Sequence, residues 1–424
     1  MTIFVLLPFL CLLVGCIILT IQTRCVQIRT IPRMISLLVK SLRSSHEDAQ
    51  HIKAHKALFT AMATTLGVGN IVGPIIAIGI GGPGTMLGYV LATLFGSAAT
   101  FAEVTFAQKY QDPSPHNKTG GAMYYLKKAL PSSLVMLYAS AGFIMLLSWS
   151  AAQSNALSVI LSAYHIPPIY TGLCMAVATL IVLIGGIKRI GSLAELMVPP
   201  MFIIYICAIT WIIACNASSL PSVLRMIVTS SFAPKAFATG SLTAGIVNSL
   251  RWGLARGFHS NESGLGTAAI PHSKAQCSQA TDQGVLAILS VFSNGLICIL
   301  TGLAFLLSGM NAHYHSESIT VLTKLFNAYL PGIGPLVLII SISLFVITTV
   351  IGNSYNGSQL FRYALGKKRI NLYYVLCAIC IFLGSLFSVN QIAVCVDILA
   401  LPVIIPHILG LVIMSFTHRK DLEI

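Results

Sequence analysis

Apolar runs of about 20 residues, the length that crosses a bilayer as a helix, recur from one end of this chain to the other. Hydrocarbon offers no water to the peptide group. A spanning segment must therefore bond its backbone internally or close into a barrel. Barrel strands alternate apolar and polar residues, whereas the runs here are apolar throughout. Only 8% of the 424 residues are charged, against about 25% in a soluble domain. The expected fold class is an all-α polytopic membrane protein.

Eleven spans are predicted, at 3–22, 57–80, 86–107, 133–161, 168–187, 193–215, 238–258, 284–308, 334–358, 371–389 and 393–416, with ends good to a few residues. The first has no basic stretch before it and no small-residue cleavage site after it. Arg24 and Arg29 follow instead, so it reads as a retained helix rather than a signal peptide.

Lysine and arginine gather in alternate loops. Arg24, Arg29, Arg33, Lys40, Arg43, Lys53 and Lys56 follow the first span. Lys109, Lys118, Lys127, Lys128, Lys188, Arg189, Arg256, Lys274, Arg362, Lys367, Lys368, Arg369, Arg419 and Lys420 fall on the same side. Arg225, Lys235 and Lys324 lie opposite, and Arg251 lies within a span. Basic loops stay cytoplasmic. The N-terminus is thus expected outside and the C-terminus inside, in a bacterial cytoplasmic (inner) membrane. The net charge of +14 becomes a topology signal and leaves little for nucleic-acid binding to rest on. Between Arg24 and Arg43, Ile28, Ile31, Ile35 and Leu38 recur at helical spacing among basic residues. This reads either as an amphipathic helix on the inner leaflet or as a plain basic loop. Leu220 to Phe232 is a second interfacial candidate, on the outside.

With the first span set aside, five spans begin inside and the next five begin outside. Two successive five-helix units of opposite topology are the arithmetic of an inverted repeat, although no residue-level repeat is visible. The expected division is 1–56 (first helix and amphipathic segment), 57–215 and 216–424.

The second span contains Gly67-Val68-Gly69-Asn70-Ile71-Val72-Gly73, poor helix material. Two readings stay open on the residues alone. The glycines can serve close helix packing. Alternatively the helix is broken, with donors of the downstream half facing a carboxylate and carbonyls near Ala63 and Leu66 facing a small cation. Thr348-Thr349 in the ninth span add two hydroxyls for a hard cation, or bond back to their own helix. Gln153 and Asn155 lie mid-span in the fourth and face the bundle interior. Glu103 and Glu195 near cytoplasmic ends are expected to pair with loop cations. Asp397 is expected to cap the last span, and Glu262 to form an inner gate with Arg256. No HExxH, Walker A or GxSxG motif occurs, and the 11 cysteines show no CxxC pair. The expectation is a protein that is not an enzyme and has no cofactor.

Several segments carry a family resemblance: Thr60 through Gly73, Gly81-Gly82-Pro83-Gly84, Phe101-Ala102-Glu103-Val104-Thr105 and Gly120 through Tyr125. Gln153-Ser154-Asn155, Gly186 through Ile190, and Gly253 through Gly266 continue it. In order and over nearly the whole chain, they resemble the alanine or glycine:cation symporter family. The resemblance implies a LeuT-type 5+5 inverted repeat with one extra N-terminal helix, the second and seventh helices being broken. It implies sodium-coupled uptake of alanine and glycine, with sodium as the coupling ion, by a monomer in the lipid bilayer. Gly67, Val68, Gly69, Asn70, Gln153, Thr349 and Asn353 become the expected substrate-binding residues. The Ala63 and Leu66 carbonyls with Thr348 and Thr349 become the expected sodium ligands. Four residues depart from the family pattern: Val68 stands where a threonine is usual, Asn353 where a tryptophan is usual, and Asn356 and Ser358 where a tyrosine and a glutamate are usual. The second leaves a roomier, more polar pocket and implies somewhat larger or more polar neutral amino acids. Proton coupling or exchange on the same fold is the alternative.

Overall fold

The computed structural model describes residues 2–43, 51–112, 120–232, 244–310, 318–387 and 389–424. Lys118, Lys235 and the start of the seventh predicted span lie outside the described residues. The helices are α1 (Thr2–Gln22), α2 (Val26–Arg29), α3 (Ile31–Arg43), α4 (Ala54–Thr65), α5 (Val68–Gly81), α6 (Thr85–Lys109), α7 (Ala122–Ala129), α8 (Ser132–Ser162) and α9 (Pro168–Ile184). They continue as α10 (Gly186–Cys215), α11 (Leu220–Phe232), α12 (Ala244–Asn261), α13 (Ala269–His272), α14 (Ala280–Leu307), α15 (Ser318–Tyr329), α16 (Gly334–Leu365), α17 (Ile370–Gly384) and α18 (Val389–Thr417). Among the described residues the sole β feature is an isolated bridge between Ile52 and Ala275.

Each predicted span falls on a helix. Five of them, α6, α8, α10, α14 and α16, and the Ile398–Thr417 part of α18 are long and apolar enough to cross a membrane, and the bent pair α4–α5 makes a seventh candidate. Helix α9 shows why shorter ones belong with them. Its Ile169, Leu173, Val177, Ile181 and Ile184 are exposed along one face, while Thr171, Met175, Thr179 and Leu183 are buried on the other. A helix apolar all round suits a position between protein and hydrocarbon.

At the centre, α6 packs against α14, α12 and α1, and α8 packs against α16, α17 and α18. The pair α4–α5 sits among α10, α12, α14 and α16. The basic segment is helical, as α2 and α3, and exposes Ile28, Ile31 and Ile35. Arg33 anchors it to Asp282 at 2.5 Å. Glu195 pairs with His55 (2.8 Å) and Lys56 (3.7 Å), both in the first turn of α4. Asp397 is not a cap: α18 starts at Val389, two turns earlier, because the apolar pattern hides a helical start in 389–396.

Candidate functional site

Helices α4 and α5 meet at 44°. Leu66 and Gly67 make the turn, with Gly67 extended at φ −115° and ψ −175°. In a continuous helix the Gly67 N–H would bond the Ala63 carbonyl and the Val68 N–H that of Thr64. Instead the Gly67 N–H turns to the Thr65 carbonyl (3.1 Å). The Val68 N–H donates to Gln153 Oε1 on α8 (3.2 Å). Freed carbonyls are met in the same way. Thr349 Oγ1 on α16 donates to the Leu66 carbonyl (2.9 Å), and Asn70 Nδ2 to that of Thr65 (2.8 Å). The helix is broken, and polar side chains from α8, α16 and α5 itself hold the break open. Gly67 serves close packing as well: a Cβ there would lie 2.6 Å from Gln153 Nε2. Gly69 is exposed, with open space where its Cβ would be, so the first turn of α5 borders an accessible gap.

Thr348 and Thr349 behave differently. Thr348 Oγ1 bonds back to the Leu344 and Phe345 carbonyls (2.8 and 3.0 Å), while Thr349 crosses to the break. Gly352 presses on α4, since a Cβ there would lie 2.5 Å from Thr64 Cγ2. One turn further, Asn356 Nδ2 donates to the Thr267 carbonyl (3.2 Å). Asn353 follows Gly352 on the same helix. It is 1% exposed, and its Oδ1 has no hydrogen-bond partner.

A second break follows α12. Residues 262–268 are non-helical, with left-handed Glu262 (φ 51°), Gly264 (φ 76°) and Gly266 (φ 78°). Here too side chains replace helical partners. Glu103 Oε2 accepts from the Gly266 N–H (3.2 Å), His407 Nδ1 donates to the Gly264 carbonyl (2.7 Å), and Tyr138 donates to that of Leu265 (2.8 Å). Unpaired backbone at membrane depth is costly, and this cradle removes most of that cost.

Two expectations are corrected. Glu103 does not pair with loop cations; it is fully buried and serves the second break, which its position along the span could not reveal. Glu262 and Arg256 form no gate. Glu262 accepts from Thr267 Oγ1 (2.6 Å), whereas Arg256 lies over the Trp252 ring (5.7 Å). Since Ser249 Oγ donates to the Gly81 carbonyl, the start of α12 lies at the end of α5. The left-handed turn at Glu262 separates the two side chains.

The two breaks are joined through α14. Asn70 Nδ2 donates to Asn294 Oδ1, and Ser260 Oγ donates to Asn70 Oδ1 (2.6 Å). Asn294 Nδ2 donates to the Ser260 carbonyl (2.6 Å) and Asn261 Oδ1 (2.8 Å). Asn294 escaped the sequence reading, although a lone amide in an apolar span is the same signal that marked Gln153. Asn155 is a structural member, donating to the Gly384 and Phe387 carbonyls (3.1 and 2.5 Å). Around the first break the available ligands are neutral oxygens, from backbone carbonyls, hydroxyls and amides. Such a set suits a hard cation. Among the described residues no group of three His, Cys, Asp or Glu gathers for another metal.

The profile of the sodium:alanine symporter family matches residues 2–423. The "Sodium/alanine symporter AgcS" of Methanococcus maripaludis is 32% identical over 422 residues, covering 96% of this chain and 91% of that one. The "Probable sodium/glutamine symporter GlnT" of Bacillus subtilis is 29% identical over 416 residues, covering 95% and 84%. Among solved structures, MhsT in complex with L-phenylalanine superposes with a TM-score of 0.60 at 18% identity, covering 87% and 90%. That likeness establishes the LeuT-type helical fold.

Proposed function

Since the chain belongs to the sodium:alanine symporter family, a family of transporters rather than enzymes, we propose that it carries a small neutral amino acid, alanine or glycine foremost, into the cell with sodium. The observation that supports this reading best is the first break. Its freed donor at Val68 and freed acceptor at Leu66 are met by Gln153 and Thr349, side chains that exchange these bonds for a substrate and a cation. In this reading the substrate carboxylate takes the N-terminal donors of α5 around Gly67 to Asn70, beside Gln153. Sodium takes the Ala63 and Leu66 carbonyls with the hydroxyls of Thr349 and Thr348, the latter turning from its own helix. The ion and the substrate share one break, so each preorganises the site for the other. A sodium ion entering gains about 2.3 kcal/mol per 100 mV of membrane potential, and this drives uphill uptake.

The proposal includes eleven crossings with the N-terminus outside and the C-terminus inside. The five-helix units 57–215 and 216–424 are inverted relative to one another and rock to expose the site alternately, in a monomer. Asn353, with its unpartnered Oδ1, extends the substrate range toward side chains that donate a hydrogen bond. Competition against labelled alanine uptake in proteoliposomes tests this. Serine, threonine and cysteine are expected to compete; their failure beside effective alanine and glycine would remove the role of Asn353.

A further inference from the structure

Behind the second break a carboxyl and an imidazole face each other. Glu103 and His407 are both 0% exposed. Glu103 Oε2 lies 3.8 Å from His407 Nε2, and Glu103 Oε1 has no hydrogen-bond partner. The other ring nitrogen fixes the tautomer. His407 Nδ1 is 2.7 Å from the Gly264 carbonyl, which has no hydrogen to give, so Nδ1 carries the proton. Nε2 is then the acceptor for the Tyr125 hydroxyl at 2.6 Å. The ring is satisfied as neutral imidazole.

The groups around the pair supply no cation. From α7 comes Tyr125, from α8 Tyr138 stacked on the ring at 5.6 Å, from α1 Cys16, and from the break itself Glu262. His272 of α13 is turned to Gln283 (2.6 Å), and His259 of α12 accepts from Trp149 (3.2 Å). Among the described residues no Lys or Arg pairs with Glu103. An unpaired carboxylate in such a place costs far more than the neutral acid.

We propose that Glu103 and His407 hold one exchangeable proton between them, and that the transporter takes up and releases this proton as the second break rearranges. On Glu103 the proton gives an acid beside a neutral ring. If the Glu103 O–H bond breaks and an Nε2–H bond forms, the pair becomes carboxylate and imidazolium, still with no net charge, and the Tyr125 hydroxyl turns away. Release to water leaves one negative charge at the Gly266 N–H. That requires solvent to reach the pair, so release accompanies opening of the segment 262–268.

Infrared spectroscopy of the purified protein in liposomes, from about pH 5 to about pH 8, tests this without substrate. A carboxylic-acid carbonyl band that shifts in heavy water is expected in the wild type and absent in Glu103→Gln. In His407→Gln, which removes the proton's second resting place, the band should persist to higher pH. The same band in Glu103→Gln, or a His407→Gln titration identical to wild type, overturns the proposal. If Glu103→Gln does not fold, the His407→Gln titration decides alone. Uptake adds a second readout: the wild type should vary with pH, and any rate left in Glu103→Gln should not. A Glu103→Gln rate that follows the wild-type curve is again contrary. Because the spectrum needs neither sodium nor substrate, its failure is separate from a failure of the sodium-symport reading.

Discussion

Replacing Thr349 with valine keeps the shape of the side chain and removes one hydroxyl. Without a cation, that hydroxyl donates to the buried Leu66 carbonyl at 2.9 Å. Its loss leaves a buried acceptor unpaired, at a cost of about 1–3 kcal/mol. A bound sodium ion would still pair that carbonyl and recover part of the cost, but it would lack one ligand oxygen. A hydrogen bond to a charged group, about 1.5–3 kcal/mol, sets the scale of that loss. The loss on the bound side less the cost already present without the ion leaves a net penalty of at most about 2 kcal/mol, a factor of up to about 30 in the sodium half-saturation. Uptake into proteoliposomes as a function of external sodium, at saturating substrate, measures it. Thr349→Ser should restore most of the affinity, since it returns the oxygen. A sodium titration of Thr349→Val that overlays the wild type would refute the assignment of this hydroxyl to the cation.

Gln153→Ala leaves the Val68 N–H without its partner and widens the space beside Gly67; the substrate half-saturation should rise about tenfold, the effect of about 1.4 kcal/mol, with the sodium half-saturation changed less. Asn353→Trp should confine uptake to alanine and glycine, read as loss of inhibition by serine and threonine. At the C-terminal end, Asp421 accepts from Lys109 and from Tyr110 (2.6 Å). Burial pushes its carboxyl up, but the bonds from Lys109 and Tyr110 outweigh burial and hold it below the usual range. A group lowered in the folded state stabilises it above the ordinary carboxylate value of about 4 and loses that effect as pH falls through the lowered value. Asp421→Asn should therefore lower the melting temperature at neutral pH and leave it unchanged in strong acid; an equal drop at both is the contrary result.

The helices were readable because they depend on local chemistry, and so was the weak helix at 67–73, although a break and close packing both stayed open there until the family resemblance favoured the break. Long apolar runs have one way to satisfy their backbone, and Gly67, Gly69 and Asn70 weaken a helix wherever they stand. What depended on rotation about a helix axis was not readable. Thr348 and Thr349 are neighbours in sequence but point about 100° apart, so one bonds its own helix and the other crosses to Leu66. What depended on a distant partner was hidden too. Glu103 looked like a loop-side acid until the left-handed turns at Glu262, Gly264 and Gly266 brought a bare N–H to it. The Asn70–Ser260–Asn294 junction required three separate helices to meet, which only the fold supplies.

The central claim is that sodium, bound at the first break, drives uptake. Labelled alanine entering proteoliposomes under an inward sodium gradient, compared with equal potassium and proton gradients, tests it most directly. Accumulation above equilibrium with sodium alone, lost when sodium is equal on both sides, is the predicted result. Accumulation indifferent to the sodium gradient would contradict the account.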